Sequence, residues 1–249
     1  MKKNIFILSI VFLIPLLLCA KEYDLSAANS AYQEQNYQQA EEEYMKVVSE
    51  GVKNFELFYN LGNTYFKLND LGNARLYYEK AAKFEPLNTE LNENIAMLMA
   101  SIKDKEEVNR SFVETLLRKI YYAFSINLLG VFVLFTFIIM MVFIIILIMS
   151  KSIMFKRIVK ILLVVFAVIF FMVTVTEVMR IRDFYADDSA VILDETVIAY
   201  SGPSEDFPQV FTIHEGLKVS IERFDNDWVL IKLPSGNGGW VIATSLGII

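Results

Sequence analysis

Two long apolar runs limit what this 249-residue chain can fold into more than any other feature. Residues 125–149 and 161–176 contain no Asp, Glu, Lys or Arg. A helix needs about 20 apolar residues to cross ~30 Å of hydrocarbon. No core in a chain of this size would need two adjacent runs of this length. The sequence therefore predicts a two-helix transmembrane hairpin, with spans at 125–150 and 158–178.

The charges that flank the spans predict the orientation of the hairpin. The basic loop predicted between them, 151–157, carries Lys151, Lys156 and Arg157, and short basic loops stay in the cytoplasm. Residues 1–20 have the order of a secretory signal peptide, with two lysines followed by an apolar stretch. Both features predict that the N- and C-terminal modules lie outside the cytoplasm.

The charge balance and the cysteine content exclude some functions. Residues 21–110 hold 10 Lys and Arg against 16 Asp and Glu, and residues 187–249 hold 3 against 10. Nucleic acid is therefore not an expected partner, because phosphate backbones need clustered basic side chains. Cys19 is either lipidated or removed with the signal peptide. In the second case the mature chain has neither a disulfide nor a thiol nucleophile.

The N-terminal module has a period of 34 residues. Shifting the chain by this period aligns Asn29 with Asn63 and Tyr44 with Tyr78. The second copy resembles a tetratricopeptide repeat, a unit of two packed helices, because it has fitting residues at eight of the positions that define the repeat. These residues are Phe58, Leu61, Gly62, Tyr65, Ala74, Tyr78, Ala81 and Pro86.

The resemblance predicts boundaries and packing roles. The repeat module, 21–107, comprises repeats at about 21–54 and 55–88 and a capping helix at 89–107, and a juxtamembrane linker helix follows at 108–124. Gly62 and Ala74 are expected where the two helices of the repeat cross, and Gly72 in the turn between them. Pro86 is expected to end the second helix. The packing residues of the second copy are Gly62, Ala74, Tyr78, Ala81 and Pro86.

The first helix of each repeat lines the concave face of such an array, where partners can bind. By spacing, the predicted partner-binding residues are Leu25, Asn29, Tyr32 and Gln33 in the first copy, and Tyr59, Asn63, Phe66 and Lys67 in the second. Asparagine amides can bond a peptide backbone, and aromatic rings offer apolar contacts. The spacing is equally compatible with the alternative that Tyr59 and Phe66 only pack against neighbouring helices.

The C-terminal residues, 187–249, change to short alternating strands separated by turn residues. Gly239 followed by Trp240, and Trp228 ahead of a strand, resemble the marks of a bacterial SH3-type domain, which is a small all-β barrel. The resemblance implies that Trp240 lies in the core. It also implies that Trp228 lies on a half-exposed face that could bind a partner.

No catalytic, metal or cofactor site is expected. His214 is the only histidine in the sequence, and no partner for nucleophilic catalysis or zinc is evident. The glycines around Asn237 are explained by a hairpin tip rather than by a phosphate-binding loop. A hydrolase therefore has little support.

The chain is predicted to be a multidomain membrane protein with a tetratricopeptide array, a transmembrane hairpin and an SH3-like barrel. This order resembles the BatE-type proteins of bacterial aerotolerance (Bat) operons over nearly the whole chain. The resemblance implies a scaffold in stress tolerance, anchored in the bacterial inner membrane with its N- and C-terminal domains in the periplasm. Its implied partners are von Willebrand A-domain membrane proteins, other Bat repeat proteins and, indirectly, a MoxR-type ATPase. The alternative is an envelope protein whose SH3-type domain binds cell-wall peptides of peptidoglycan.

Overall fold

The computed structural model describes residues 23–104, 111–186 and 188–249. The chain divides into two compact units, Met1–Lys53 and Asn54–Ile249, and each is described by itself. The predicted fold class is confirmed: a helical repeat array is followed by two long apolar helices and an antiparallel sheet. The predicted signal peptide and its cysteine lie outside the described residues.

The described part of the first unit forms a helical hairpin. Helix α1 spans Ser26–Gln33 and helix α2 spans Tyr37–Ser49. Gln35 takes a positive φ of 62° in the turn between the helices. The Tyr44 hydroxyl of α2 donates a hydrogen bond of 2.5 Å to the Asn29 amide oxygen of α1, which joins the two helices.

The second unit begins with three helices, each started by a side-chain cap. They are α3 (Phe55–Lys67), α4 (Leu71–Phe84) and α5 (Thr89–Ser101). The capping residues Asn54, Asp70 and Asn88 each accept a hydrogen bond from the backbone N–H three residues further on. Each cap satisfies a donor that the first turn of the helix would otherwise leave unpaired.

Two glycines of this repeat allow close approach to different parts of the structure. A Cβ on Gly62 would lie 2.5 Å from the Tyr78 ring, so α3 and α4 approach closely there. Gly72 is not in the turn, contrary to expectation, because α4 already begins at Leu71 and the turn instead uses Asn69 at φ 62°. Gly72 faces the C-terminal sheet: its Cβ would lie 2.7 Å from the Leu193 carbonyl oxygen.

A short helix and two long apolar helices follow the repeat. Helix α6 spans Phe112–Tyr121, α7 spans Ile126–Met149 and α8 spans Ile153–Tyr185. The two long helices pack as an antiparallel pair, with the rings of Phe143 and Phe166 5.4 Å apart. Only 6% of the most apolar stretch of each is buried in the protein, so neither is the core helix of a soluble domain.

The connection between the long helices is shorter than the predicted loop of 151–157. Ser150 ends α7, and the Ser152 side chain accepts a hydrogen bond from the Phe155 N–H, which starts α8 before Lys156 and Arg157. Lys156 and Arg157 therefore lie in the first turns of α8 rather than in a loop.

The C-terminal residues that the structure describes form a seven-stranded antiparallel sheet. Its strands are β1 (Ser189–Ile192), β2 (Thr196–Tyr200), β3 (Gln209–His214), β4 (Lys218–Asp225), β5 (Trp228–Lys232), β6 (Gly238–Ile242) and β7 (Leu246–Ile248). Their spatial order is β3-β2-β6-β5-β4-β1-β7. The sheet buries a core that includes Ile192, Val219, Val229, Ile231 and Val241. We call this sheet and its connections the β domain.

Helix α4 packs directly against β1 and β7 of the β domain. Leu76 is buried at this contact, where a Cβ on Gly247 would lie 2.6 Å from its Cδ2 atom. Ile102, just after α5, is also buried and approaches Gly216 in the same way. Burying one such side chain contributes roughly 1.5–3 kcal/mol. The repeat and the β domain thus share a packed interface and are not separate domains joined only by the chain.

Candidate interaction surface

An asparagine–tyrosine hydrogen bond recurs in both helical pairs. Tyr44 bonds Asn29 in the first copy, and the Tyr78 hydroxyl donates to the Asn63 amide oxygen over 2.7 Å in the second. Tyr44 and Tyr78 are each 1% exposed, so their hydroxyls need buried partners. The 34-residue period of these residues therefore reflects a bond inside each helical pair.

Tyr59 and Asn63 are joined to the capping helix. The Asn94 side-chain amide of α5 donates to the Tyr59 hydroxyl and to the Asn63 amide oxygen, each over 3.0 Å. Burial and a hydrogen bond with Glu90 raise the pKa of Tyr59 to about 12. These contacts correspond to the packing alternative for Tyr59. Asn63 is also engaged within the repeat, which the spacing alone did not reveal.

The rest of the α3 face is more accessible. Lys67 is exposed, Phe66 is half-buried, and the Phe55 ring stacks on the Tyr59 ring at 5.4 Å. Met97 of α5 is 59% exposed. We call Phe55, Phe66, Lys67 and Met97 the α3–α5 face. This face combines apolar side chains with one positively charged side chain.

The predicted binding residues of the first copy have different environments. Leu25 is buried, so its side chain packs in the protein instead of presenting a binding surface. Tyr32 is half-buried with its ring edge-on to Tyr37, and burial raises the pKa of Tyr32. Asn29 is bonded to Tyr44, and Gln33 is exposed.

The opposite side of the repeat forms a charged contact with the β domain. Glu79 of α4 accepts from Arg75 over 2.9 Å and from Lys218 of β4 over 2.8 Å. Burial alone would raise the pKa of Glu79, but Lys218 and Arg75 outweigh it and hold this pKa below 4.5. Lys83 donates to the backbone oxygens of Ala186 and Ile249. Sequence reasoning missed this contact, because its charges resemble those of a solvated helix face.

His214 also lies at this boundary and has neighbours that the sequence did not reveal. Its backbone N–H donates to Asp104 over 2.7 Å, and its Nδ1 atom lies 3.2 Å from the same carboxylate. The Lys103 Nζ atom lies 2.7 Å from Nε2. An acyl-transfer site would need a nucleophile at Nε2, a position that the lysine takes here. Among the described residues, no cluster suited to a metal ion is found.

The two tryptophans of the β domain have different environments. Trp240 is 6% exposed, and the Arg223 guanidinium lies 4.8 Å from its ring centroid. Trp228 is half-buried and meets the Tyr200 ring edge-on at 5.5 Å. Trp228 therefore keeps an accessible surface beside a second aromatic ring.

Comparison with known protein families identifies one segment. Residues 55–88 match the tetratricopeptide repeat family. The match coincides with α3, α4 and the connection that follows, so the chain contains a tetratricopeptide repeat there. Such repeats bind other proteins, which supports protein–protein interaction as the general activity. A search of curated proteins gave no match.

Proposed function

We propose that this protein is a membrane-anchored scaffold that recruits protein partners through its tetratricopeptide repeat. One observation carries the proposal: the repeat's α4 side is packed against the β domain, whereas the α3–α5 face holds accessible apolar and cationic side chains. The predicted residues Phe66 and Lys67 remain part of the proposed surface. The predicted residues Asn29, Tyr32 and Gln33 belong to the first unit and remain separate candidates for partner binding. Leu25, Tyr59 and Asn63 have packing roles in this proposal.

The hairpin supplies the anchor in this proposal. Helices α7 and α8 are long enough to cross a bilayer, and their most apolar stretches are almost unburied. An antiparallel hairpin brings the start of α7 and the end of α8 to the same end, and the repeat contacts the β domain there. This arrangement supports a topology in which the repeat and the β domain lie on the same side of the membrane. The signal-like N-terminus favours the periplasm, as do Lys151 in the turn and Lys156 and Arg157 at the start of α8.

The resemblance to BatE-type proteins suggests the complex. We propose von Willebrand A-domain membrane proteins and other Bat repeat proteins as direct partners, and a MoxR-type ATPase as an indirect one. In this proposal the scaffold recruits partners rather than catalysing a reaction. Its proposed segments keep the predicted boundaries, except that α8 begins at Ile153 and continues to Tyr185, beyond both ends of the predicted span of 158–178.

Co-purification from detergent-solubilised membranes tests the proposal. The pair Phe66→Ala and Lys67→Glu should reduce recovery of partners several-fold without lowering thermal stability. Lys46→Glu is the matched control, because Lys46 is exposed and its pair with Glu43 contributes little. Equal recovery with both proteins would contradict the assignment of the α3–α5 face.

A second function is favoured by the aromatic pair of Trp228 and Tyr200. Their accessible surface could bind cell-wall peptides and make this an envelope-anchoring protein. Retention of the full chain on purified peptidoglycan distinguishes the two functions. Trp228→Ala should abolish retention if the wall is the ligand, and Phe224→Ala should not, although Phe224 is 53% exposed on the neighbouring strand. Retention that is absent, or unaffected by Trp228→Ala, rejects this second function.

A further inference from the structure

Helix α6 separates apolar from polar side chains. Five large apolar residues fall within one arc of the helix at 3.6 residues per turn. These residues, whose exposed fractions range from 47% to 82%, are Phe112, Val113, Leu116, Leu117 and Ile120. The remaining arc carries Glu114, Thr115, Arg118 and Lys119. Contiguous exposed apolar patches of this kind mark an interaction surface.

The end of α6 is fixed to the hairpin by polar contacts. The Tyr121 hydroxyl donates to Asp183 of α8 over 2.9 Å. Arg180 of α8 is 4% exposed, donates to the Phe124 carbonyl oxygen, and lies 4.8 Å from the Tyr122 ring centroid. These contacts set the direction of the apolar face of α6 relative to α7 and α8.

The apolar face of α6 continues into the surface of the hairpin. Leu117 and Ile120 line a groove of about 900 Å³ whose other wall includes Leu129 of α7 and Met172 of α8. The lining of the groove is mostly apolar, although Glu114 and Arg118 also border it. An environment that covers the hairpin therefore also covers this face of α6. A soluble partner would have to displace lipid from the hairpin to reach the groove.

We propose that α6 lies along the membrane interface, with its apolar face among lipid acyl chains that also fill the groove. This inference rests on the proposed insertion of the hairpin. Amphipathic helices of this kind sink about 5–10 Å into the boundary between headgroups and acyl chains. Arg118 and Lys119 place positive charge on the polar face, which suits anionic headgroups.

Lipid quenching of site-specific fluorophores tests the inference in the full chain. Single cysteines replace Ile120, Leu116, Thr115 and Phe135 in a Cys19→Ser background, and each carries an environment-sensitive dye. The proteins are reconstituted into vesicles of phosphatidylethanolamine and phosphatidylglycerol with nitroxide-labelled acyl chains. Dyes at positions 116 and 120 should be quenched several-fold more than the dye at Thr115, on the opposite face. Phe135 is 59% exposed on α7 and reports insertion of the hairpin itself.

The outcomes separate the two proposals. If position 135 is quenched while 116 and 120 match 115, α6 is not interfacial and only this inference fails. The dye at position 120 could instead show the emission of an apolar environment without being quenched by the lipid. That result would mean that protein, either a partner or a second copy, covers the apolar face of α6, and it would also overturn this inference. If position 135 is not quenched, the proposed membrane insertion fails.

Discussion

Asn63 of α3 joins α4 and α5, because its amide oxygen accepts hydrogen bonds from Tyr78 of α4 and from Asn94 of α5. Asn63→Ala would remove the acceptor of a buried tyrosine hydroxyl. The expected loss is about 1–3 kcal/mol of unfolding free energy. Denaturant unfolding monitored by circular dichroism measures it.

A double-mutant cycle with Tyr78→Phe isolates the bond. In that background Asn63→Ala should cost less, because no hydroxyl is left unpaired. Equal costs in both backgrounds would show that Asn63 stabilises the repeat by some other contact. Lys67→Ala is the exposed control on the same helix and should have little effect.

Gly72 is required by its neighbour in space rather than by its own helix. A Cβ there would lie 2.7 Å from the Leu193 carbonyl oxygen and 2.9 Å from its Cα, so Gly72→Ala must shift backbone. We expect a loss of roughly 1–3 kcal/mol and faster hydrogen exchange in β1. The matched control is Gln38→Ala, because residue 38 is the equivalent position in the first copy and is exposed. Unchanged exchange in β1 would contradict the contact.

The same residue marks the limit of sequence reasoning. A period of 34 residues predicts which residues are equivalent, but Gln38 and Gly72 differ because only the second packs against β-domain backbone. A local pattern carries no information about a contact with a strand more than 100 residues away. Likewise Asn63 was predicted as a binding residue, because the spacing does not reveal that Asn94 would reach it.

At the scale of elements, helices and strands were predictable, whereas their mutual packing was not. The apolar runs and the turn residues predicted α7, α8 and the C-terminal strands. The charges of Arg75 and Glu79 resemble an exposed pair in one helix turn. Arg75 is buried, however, and the Glu79 side chain is only 12% exposed, with Lys218 of β4 reaching it from the β domain. Removing one member of a buried charge cluster typically costs about 3–5 kcal/mol, and a smaller loss is expected for Lys218, which is 37% exposed.

The Glu79 cluster predicts how the protein responds to acid. Its pKa is lowered in the folded protein from an ordinary value of 4.5, so its stabilising contribution is complete above pH 4.5. As the pH falls below 4.5, the unfolded chain binds the proton first and this contribution declines, until it is lost below the folded pKa. Glu79→Gln should flatten the pH dependence of the unfolding free energy in this range.

An exposed carboxylate, Glu222, is the control for the pH dependence of Glu79→Gln. Glu222→Gln removes a carboxylate whose pair with Lys232 is 3.7 Å long and about half exposed, so it should leave the acid slope intact. The unfolding free energy of Glu79→Gln and of Glu222→Gln could instead depend on pH as steeply as that of the unaltered protein. In that case the Glu79 cluster would not be a source of acid sensitivity.

At the scale of the whole molecule, the hairpin and the contact between repeat and β domain constrain each other. The repeat leads into α7 and the β domain follows α8, so their packing requires an even number of crossings between them. A chain in which only one long helix crossed the membrane would have to break the contacts of Gly72, Glu79 and Lys83.

Cysteine accessibility tests the resulting topology most directly. Asn92→Cys on α5, Asn226→Cys in the turn after β4 and Lys151→Cys between the long helices are made singly in a Cys19→Ser background. A membrane-impermeant maleimide is applied to spheroplasts before and after lysis. Positions 92 and 226 should react in intact spheroplasts, and position 151 only after lysis. Reaction of 92 and 226 from opposite sides, or of 151 alone from outside, would contradict a scaffold that presents both modules in the periplasm.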